Sequence, residues 1–346
     1  MTLAEFSRRT LAAPQRIVYI GNSVTAQRDG YREILHSMLS EMTSNRHQAV
    51  NLGLGGVGSF GCAALLGYFL RQRTPSLAII ETSLADSGGA TPQHLINRSL
   101  SSIVSYLKQR NVEPVFLHLP RRDVSPEVSR AVRSAYDAVA GDEGISQIDV
   151  ESLLVEQGIA VTSDLFTDGI HTNPHGAGLF AQAICEYLIG QEHSKHQPAG
   201  TVVHAEERTA IIDTLFVDSL QPTSQQHRHG LFRLQMQTFD LQRNESIEFK
   251  CGEEEFLGVV VVVDTDSGVM RIESGSREFS VQLADEWSNR ASRIQVVPFP
   301  WGFEQDETLR FVCSESDVAP TDAAGRASSV VKLAQSLRII GMVYTK

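Results

Sequence analysis

The chain has 346 residues, 42% of them hydrophobic and 21% charged, with a formal net charge of −11. These values exclude a disordered or collagen-like chain, and at roughly 100–200 residues per domain the length predicts two domains. The acidic balance provides no global basic field for phosphate backbones, so no nucleic-acid partner is expected.

No apolar run reaches the ~18 residues needed to span a membrane. Residues 1–16 lack the apolar core of a secretory signal. Cys62, Cys185, Cys251 and Cys313 are scattered without CxxC spacing. They predict neither a disulfide framework nor a zinc site, and the expectation is a cytoplasmic protein in a reducing compartment.

Within the first 190 residues, short Val- and Ile-rich runs alternate with helical stretches. The runs 16–20, 49–52, 77–81, 114–119 and 147–150 predict buried parallel strands. Ile34, Leu35, Met38 and Leu39 form one helical stripe; Leu95, Leu100, Ile103, Val104 and Leu107 form another. Phe180, Ile184, Tyr187 and Leu188 form a third, opened by Asn173-Pro174 and closed by Gly190. The alternation predicts a doubly wound α/β domain, with ligands at the carboxyl ends of its strands.

The polar stretch 190–201 is read as a linker, dividing the chain into domains at 1–192 and 201–346. In the second, the runs 256–264 and 269–273 flank Thr-Asp-Ser-Gly, a hairpin signal. Further strands are expected at 230–239, 246–250, 278–283, 294–299, 308–312 and 337–343. Long helical periodicity is scarce, and the spacing predicts a β-sandwich.

The first strand runs directly into Gly21-Asn22-Ser23-Val24-Thr25. A Ser at such a turn exposes its hydroxyl near a helix N-terminus, which favours developing negative charge; the alternative is a plain N-cap. The loop before the last helix of this domain reads Asp168-Gly169-Ile170-His171-Thr172-Asn173-Pro174-His175. A His can take a serine's proton, and an Asp can fix its tautomer and stabilise the imidazolium. His175 is read as a first-turn helix residue.

Together these elements resemble the SGNH (GDSL-like) hydrolase superfamily over about residues 14–190. Gly21-Asn22-Ser23 is similar to its first block, Asn51-Leu52-Gly53-Leu54-Gly55-Gly56 to its second and Asp168-Gly169-Ile170-His171 to its last. The resemblance implies a three-layer α/β/α sandwich of flavodoxin-like type and hydrolysis of small acyl esters. It implies Ser23 as nucleophile, His171 as base, Asp168 as its orienting acid, and the amides of Ser23 and Gly56 as oxyanion donors. No metal or organic cofactor is implied.

This sequence departs from the family pattern twice. Asn22 stands where Asp is usual. In the third block, normally Gly-x-Asn-Asp, the chain has Ser83-Leu84-Ala85-Asp86, and Ala85 cannot supply the side-chain oxyanion donor. Losing one such donor costs about 2.7–4 kcal/mol. Asn51, Ser83 and Ser87 are the candidates to replace it, with Asn51 and Ser83 expected in the substrate site.

A rival motif overlaps the second block. Gly53-x-Gly55-x-x-Gly58 matches the dinucleotide fingerprint, and Glu81 ends the next strand at the distance of a ribose-binding acid. It follows the second strand rather than the first and leaves Asp168 and His171 unexplained. His227 and His229 are read as a solvated loop. Asp264, Asp266 and Ser267 lack calcium-loop spacing. Trp287 and Trp301 are read as core residues rather than sugar platforms. Arg71 and Arg73 are read as a solvated helix end.

The expectation is a serine esterase acting on a small acylated substrate, with acetyl groups on carbohydrate foremost. A β-sandwich beside such a hydrolase resembles a sugar-handling module. The alternatives are an inactive binding or assembly module, marked by Ala85, and an acyltransferase to a sugar hydroxyl. Self-association is left open.

Overall fold

The computed structural model describes residues 11, 13–71 and 73–190, then 212–216, 226–231, 234–250, 255–263, 267–283, 293–303, 307–314 and 336–345. The chain divides into two compact units, Met1–Ile211 and Ile212–Lys346. Each is described by itself.

The first unit opens with β1 (Arg16–Gly21), the single turn α1 (Ser23–Ala26) and α2 (Tyr31–Met42). β2 (Gln48–Gly53), α3 (Ser59–Leu70), β3 (Leu77–Glu81), α4 (Ser83–Ser87) and α5 (Gln93–Gln109) follow. The unit continues through β4 (Glu113–His118), α6 (Pro126–Glu143), β5 (Ser146–Asp149), α7 (Val150–Glu156) and α8 (Pro174–Ile189). All five expected strands form, and they pair in parallel in the order β2-β1-β3-β4-β5. This is the flavodoxin-like order, with its topological switch point between β1 and β3.

Alternating residues of the apolar strands feed two cores. Ile17, Tyr19, Ile79 and Leu117 face one cluster with Leu35 and Leu39 of α2, Leu154 of α7 and Phe180 and Ile184 of α8. α3, α5 and α6 cover the opposite face, where α5 buries Leu95, Leu100, Ile103, Val104 and Leu107. The result is an α/β/α sandwich. α8 begins and ends as its sequence dictates. The Asn173 side chain accepts from the Gly176 amide at 2.9 Å, Pro174 takes the first turn, and Gly190 closes the helix at φ 75°. His175 lies in that first turn.

The second unit is built from antiparallel strands. They are β6 (Ile212–Phe216), β7 (Gln226–Leu231), β8 (Leu234–Gln242), β9 (Ser246–Lys250) and β10 (Phe256–Val263). Then come β11 (Val269–Ser274), β12 (Arg277–Gln282), β13 (Arg293–Phe303), β14 (Thr308–Ser314) and β15 (Ser336–Thr345). One sheet runs β13-β10-β15-β8-β7, with β6 also on β15; the other runs β12-β11-β14-β9. Val259 and Val261 from the first sheet share a core with Met270, Ile272, Leu309 and Phe311 from the second. This is the expected sandwich.

Three readings in this unit are corrected. The runs flanking Thr-Asp-Ser-Gly are not a hairpin. β10 pairs with β13 and β15, whereas β11 pairs with β12 and β14, so the chain changes sheets there. A turn signal marks a reversal but not which partner the next strand takes. The hairpin lies one strand later, between β11 and β12, where Gly275 has φ 58°. The run 230–239 is not one strand but the hairpin of β7 and β8, with Leu231 opposite Leu234. Phe232 and Arg233 carry no turn chemistry, so the strand period passes through them unmarked. His227 and His229 accordingly lie on a strand, β7, and not in a loop. Cys251, Asp264, Asp266, Trp287 and the side chain of Trp301 lie outside the described residues, as does most of the stretch read as a linker.

Cys62, Cys185 and Cys313 are buried. Among the described residues no helix is long and apolar enough to cross a membrane, and no cluster of metal-ligating side chains occurs.

Gly53 shows how tightly the site end is built. A Cβ there would fall 2.4 Å from the Ala26 amide nitrogen, whereas one at Gly55 meets nothing within 4 Å. Gly53→Ala is expected to lower unfolding free energy by about 1–3 kcal/mol. Gly55→Ala should stay within about 0.5 kcal/mol of wild type in denaturant titrations.

Candidate active site

The site lies at the switch point, in the loops after β1, β2 and β3 and in the loop before α8. Gly21 ends β1 because the chain turns back on itself there. A Cβ would sit 2.3 Å from Thr25 Oγ1 and 2.5 Å from the Glu81 carbonyl. Asn22 then caps α1, its side chain accepting from the Val24 amide at 3.0 Å. Ser23 becomes the first residue of that turn. Its Oγ lies 2.8 Å from His171 Nε2.

His171 is held by its own loop. Thr167 N donates to the His171 carbonyl at 2.8 Å, and Asn173 N to the Leu165 carbonyl at 3.0 Å. Asp168 Oδ1 accepts from the Ile170 and His171 amides, both at 2.7 Å, and Oδ2 from His171 Nδ1 at 2.8 Å. With the proton on Nδ1, Nε2 is left as an acceptor for the serine hydroxyl. Partial burial opposes ionisation of Asp168. The bonds from the His171 amide and ring and the Ile170 amide outweigh it, holding the carboxyl below its ordinary range.

Neighbouring loops brace this one. Arg122 N donates to the Gly169 carbonyl at 2.8 Å, and Gln27 Nε2 to the Thr172 carbonyl at 3.3 Å.

The remaining expected residues fall as follows. Gly56 is the third residue of a tight turn, with φ 72° and Val57 N donating to the Leu54 carbonyl at 3.2 Å. Among the described residues no protein group accepts from the Gly56 amide. The Ser23 amide, first in its helix, likewise has no intrahelical acceptor. Asn51 turns to its own strand, its Oδ1 accepting from Gly53 N at 2.8 Å. Ser83 is buried at the start of α4, and its carbonyl accepts from Ser87 Oγ at 2.8 Å. Ser87 is thereby used within its own helix. Ala85 stands in the third block with no donor to offer.

The rest of that block is retained as scaffold. Asp86 accepts from the Ser59 amide at 2.8 Å and the Tyr136 hydroxyl at 2.7 Å. Burial raises its pKa, against the hydrogen bonds from Thr91, Tyr136 and Ser59. Arg121, from the loop after β4, donates to the Leu84 carbonyl and to Asp123.

The dinucleotide reading loses both its donors and its acid. The Ser59 and Phe60 amides that would receive a pyrophosphate are taken by Asp86 and by Thr91 Oγ1, the latter at 3.2 Å. Glu81 is wholly buried and accepts from Asn22 Nδ2 and Thr25 Oγ1. It was legible as a carboxylate ending an apolar strand, but its partners were not.

Residues 19–179 match the model of the GDSL-like lipase/acylhydrolase family. The chain is similar in fold to a two-domain esterase, CEX, active on acetylated mannans. The TM-score is 0.71 at 12% identity, over 99% of this chain and 95% of that one. The same esterase co-crystallised with mannopentaose gives 0.68 at 14% identity, over 99% and 94%. A variant of Axe2, an acetyl-xylooligosaccharide esterase from Geobacillus, gives 0.46 at 15%, over 54% and 100%. No curated protein matches in sequence.

Two outcomes follow from this geometry. Ala85→Asn should raise kcat more than it alters KM, because the added donor acts on charge present only in the transition state; steady-state kinetics on an activated ester checks this. Titration calorimetry with NAD and NADP at millimolar concentration should give no saturable isotherm.

Proposed function

We propose that the chain is a serine esterase that removes small acyl groups, acetyl foremost, from carbohydrate hydroxyls. The observation that carries this reading is the unbroken Ser23–His171–Asp168 chain, with 2.8 Å at each link. Ser23 Oγ attacks the acyl carbonyl while His171 Nε2 takes its proton. The amides of Ser23 and Gly56 receive the oxyanion. His171 returns the proton to the leaving sugar oxygen, and an acyl-serine remains. Water, deprotonated by the same imidazole, releases the acid. Asp168 holds the ring and stabilises its charged form.

The carbohydrate assignment draws support from the substrate of the two-domain esterase whose fold spans both units. On this reading residues 1–192 carry the reaction, and 201–346 present the substrate or mediate assembly.

Ala85 favours a second reading, a hydrolase fold retained for binding with little turnover. The deciding assay uses p-nitrophenyl acetate and acetylated manno-oligosaccharides. Wild type should release acetate from both, and Ser23→Ala should lose at least about a thousandfold in kcat. Binding of the oligosaccharide without turnover by either protein would instead establish the second reading.

A further inference from the structure

Two polar side chains flank Ser23, and both end on one buried carboxyl. Asn22 Nδ2 donates to Glu81 Oε1 at 3.0 Å, and Thr25 Oγ1 to Glu81 Oε2 at 2.9 Å. Asn22 Oδ1 meanwhile accepts from the Val24 amide, and Thr25 Oγ1 also meets the Tyr31 hydroxyl at 3.0 Å. The turn that carries Ser23 is therefore tied to the end of β3 on both sides of the hydroxyl. The acyl-transfer steps make no use of Glu81. We propose that Glu81 is a positioning residue for the Ser23 hydroxyl, and that residues 22 and 81 act as one donor–acceptor pair. The proposal rests on the reading of Ser23 as nucleophile.

The pair explains why an amide suits position 22. An amide accepts from Val24 and donates to Glu81 at once, whereas an aspartate only accepts. Two carboxyls at this distance need a proton between them. Asn22 removes that requirement, so the turn holds whichever form Glu81 takes. When Glu81 is ionised, the Thr25 hydroxyl donates to it. When it is protonated, its O–H donates to Thr25, whose own hydrogen passes to Tyr31.

The protonated form is relevant near neutrality. Burial raises the Glu81 carboxyl to about 8, against hydrogen bonds from Thr25, Asn22 and the Leu84 and Asn22 amides. The groups facing it are Tyr31 from α2, Cys62 from α3 and Tyr136 from α6, all raised by burial and hence neutral in this range. Asp86 of α4 is held by Ser59 and Tyr136, and Arg32 of α2 donates to the Thr25 carbonyl at 2.9 Å.

The test is a double-mutant cycle in the full chain. Wild type, Asn22→Asp, Glu81→Gln and the variant carrying both substitutions are assayed on p-nitrophenyl acetate across neutral and alkaline pH, with thermal unfolding of each. Asn22→Asp should lose about tenfold in kcat at alkaline pH with KM within about twofold, and recover as the pH falls and a proton bridges the carboxyls. Glu81→Gln should lose about tenfold throughout, because it leaves one carboxamide oxygen where the Asn22 side chain, Thr25 and the Leu84 and Asn22 amides share two carboxyl oxygens. In the double variant the amide now at position 81 donates to the carboxylate now at position 22. Its kcat should return to within about threefold of wild type, not fall the ~hundredfold that independent effects give. Multiplying losses, or an Asn22→Asp profile parallel to wild type, would overturn the pairing. If Asn22→Asp alone does not fold, the double variant decides: folded and active supports the pair, unfolded or inactive overturns it. Ser23→Ala in the same assay separates the two readings. Undiminished activity there defeats the nucleophile, whereas activity lost there beside multiplying losses defeats only the pair.

Discussion

Three strand ends lie side by side, Gly53 of β2, Gly21 of β1 and Glu81 of β3, and the turn bearing Ser23 is pressed directly onto them. Two of the three have no side chain, because Thr25 and Ala26 occupy the space a Cβ would need. The third contributes the carboxyl that receives Asn22 and Thr25. Parallel pairing through the switch point creates this row. A buried carboxyl without partners would cost several kcal/mol, which its hydrogen bonds offset. The same bonds fix the direction in which the serine hydroxyl points.

The groups assigned to the reaction and those that support them sit in opposite environments. The Asp168 side chain is 55% exposed and that of His171 30%. At that exposure solvent screens the electrostatic part of the contact, so on the proposed reading orientation is the larger part of what Asp168 contributes. Glu81 and Asp86, by contrast, are buried and fully engaged. In the third block this separates two jobs that one motif usually combines. Asp86 ties α4 to α3 and α6 through Ser59 and Tyr136, while Ala85 beside it carries no polar group. Buried, satisfied networks are costly to break, and the partly buried Ala85 side chain takes no part in this one.

The second unit follows a different rule. β10 is buried along its whole length and lies inside a sheet, between β13 and β15. Its Val-rich run suits a strand covered on both faces. β11 alternates instead, as a strand with one covered face should.

Much of the first unit was legible in the chain itself. Its five strands stand out as apolar runs, and α8 is bracketed by Asn173, Pro174 and Gly190, because burial period and helix caps are local properties. Asp168 and His171, three residues apart, could be recognised as partners for the same reason. The tertiary structure alone decided the rest. It set Ser23 against His171 across 148 residues and Asn22 against Glu81 across 59, turned Asn51 toward its own strand, and sent β10 and β11 into different sheets. Such pairings leave no periodic trace. A strand's sequence specifies that its edges will be hydrogen-bonded and its faces covered, whereas the partner is settled only when all the strands and their connections compete for the same space.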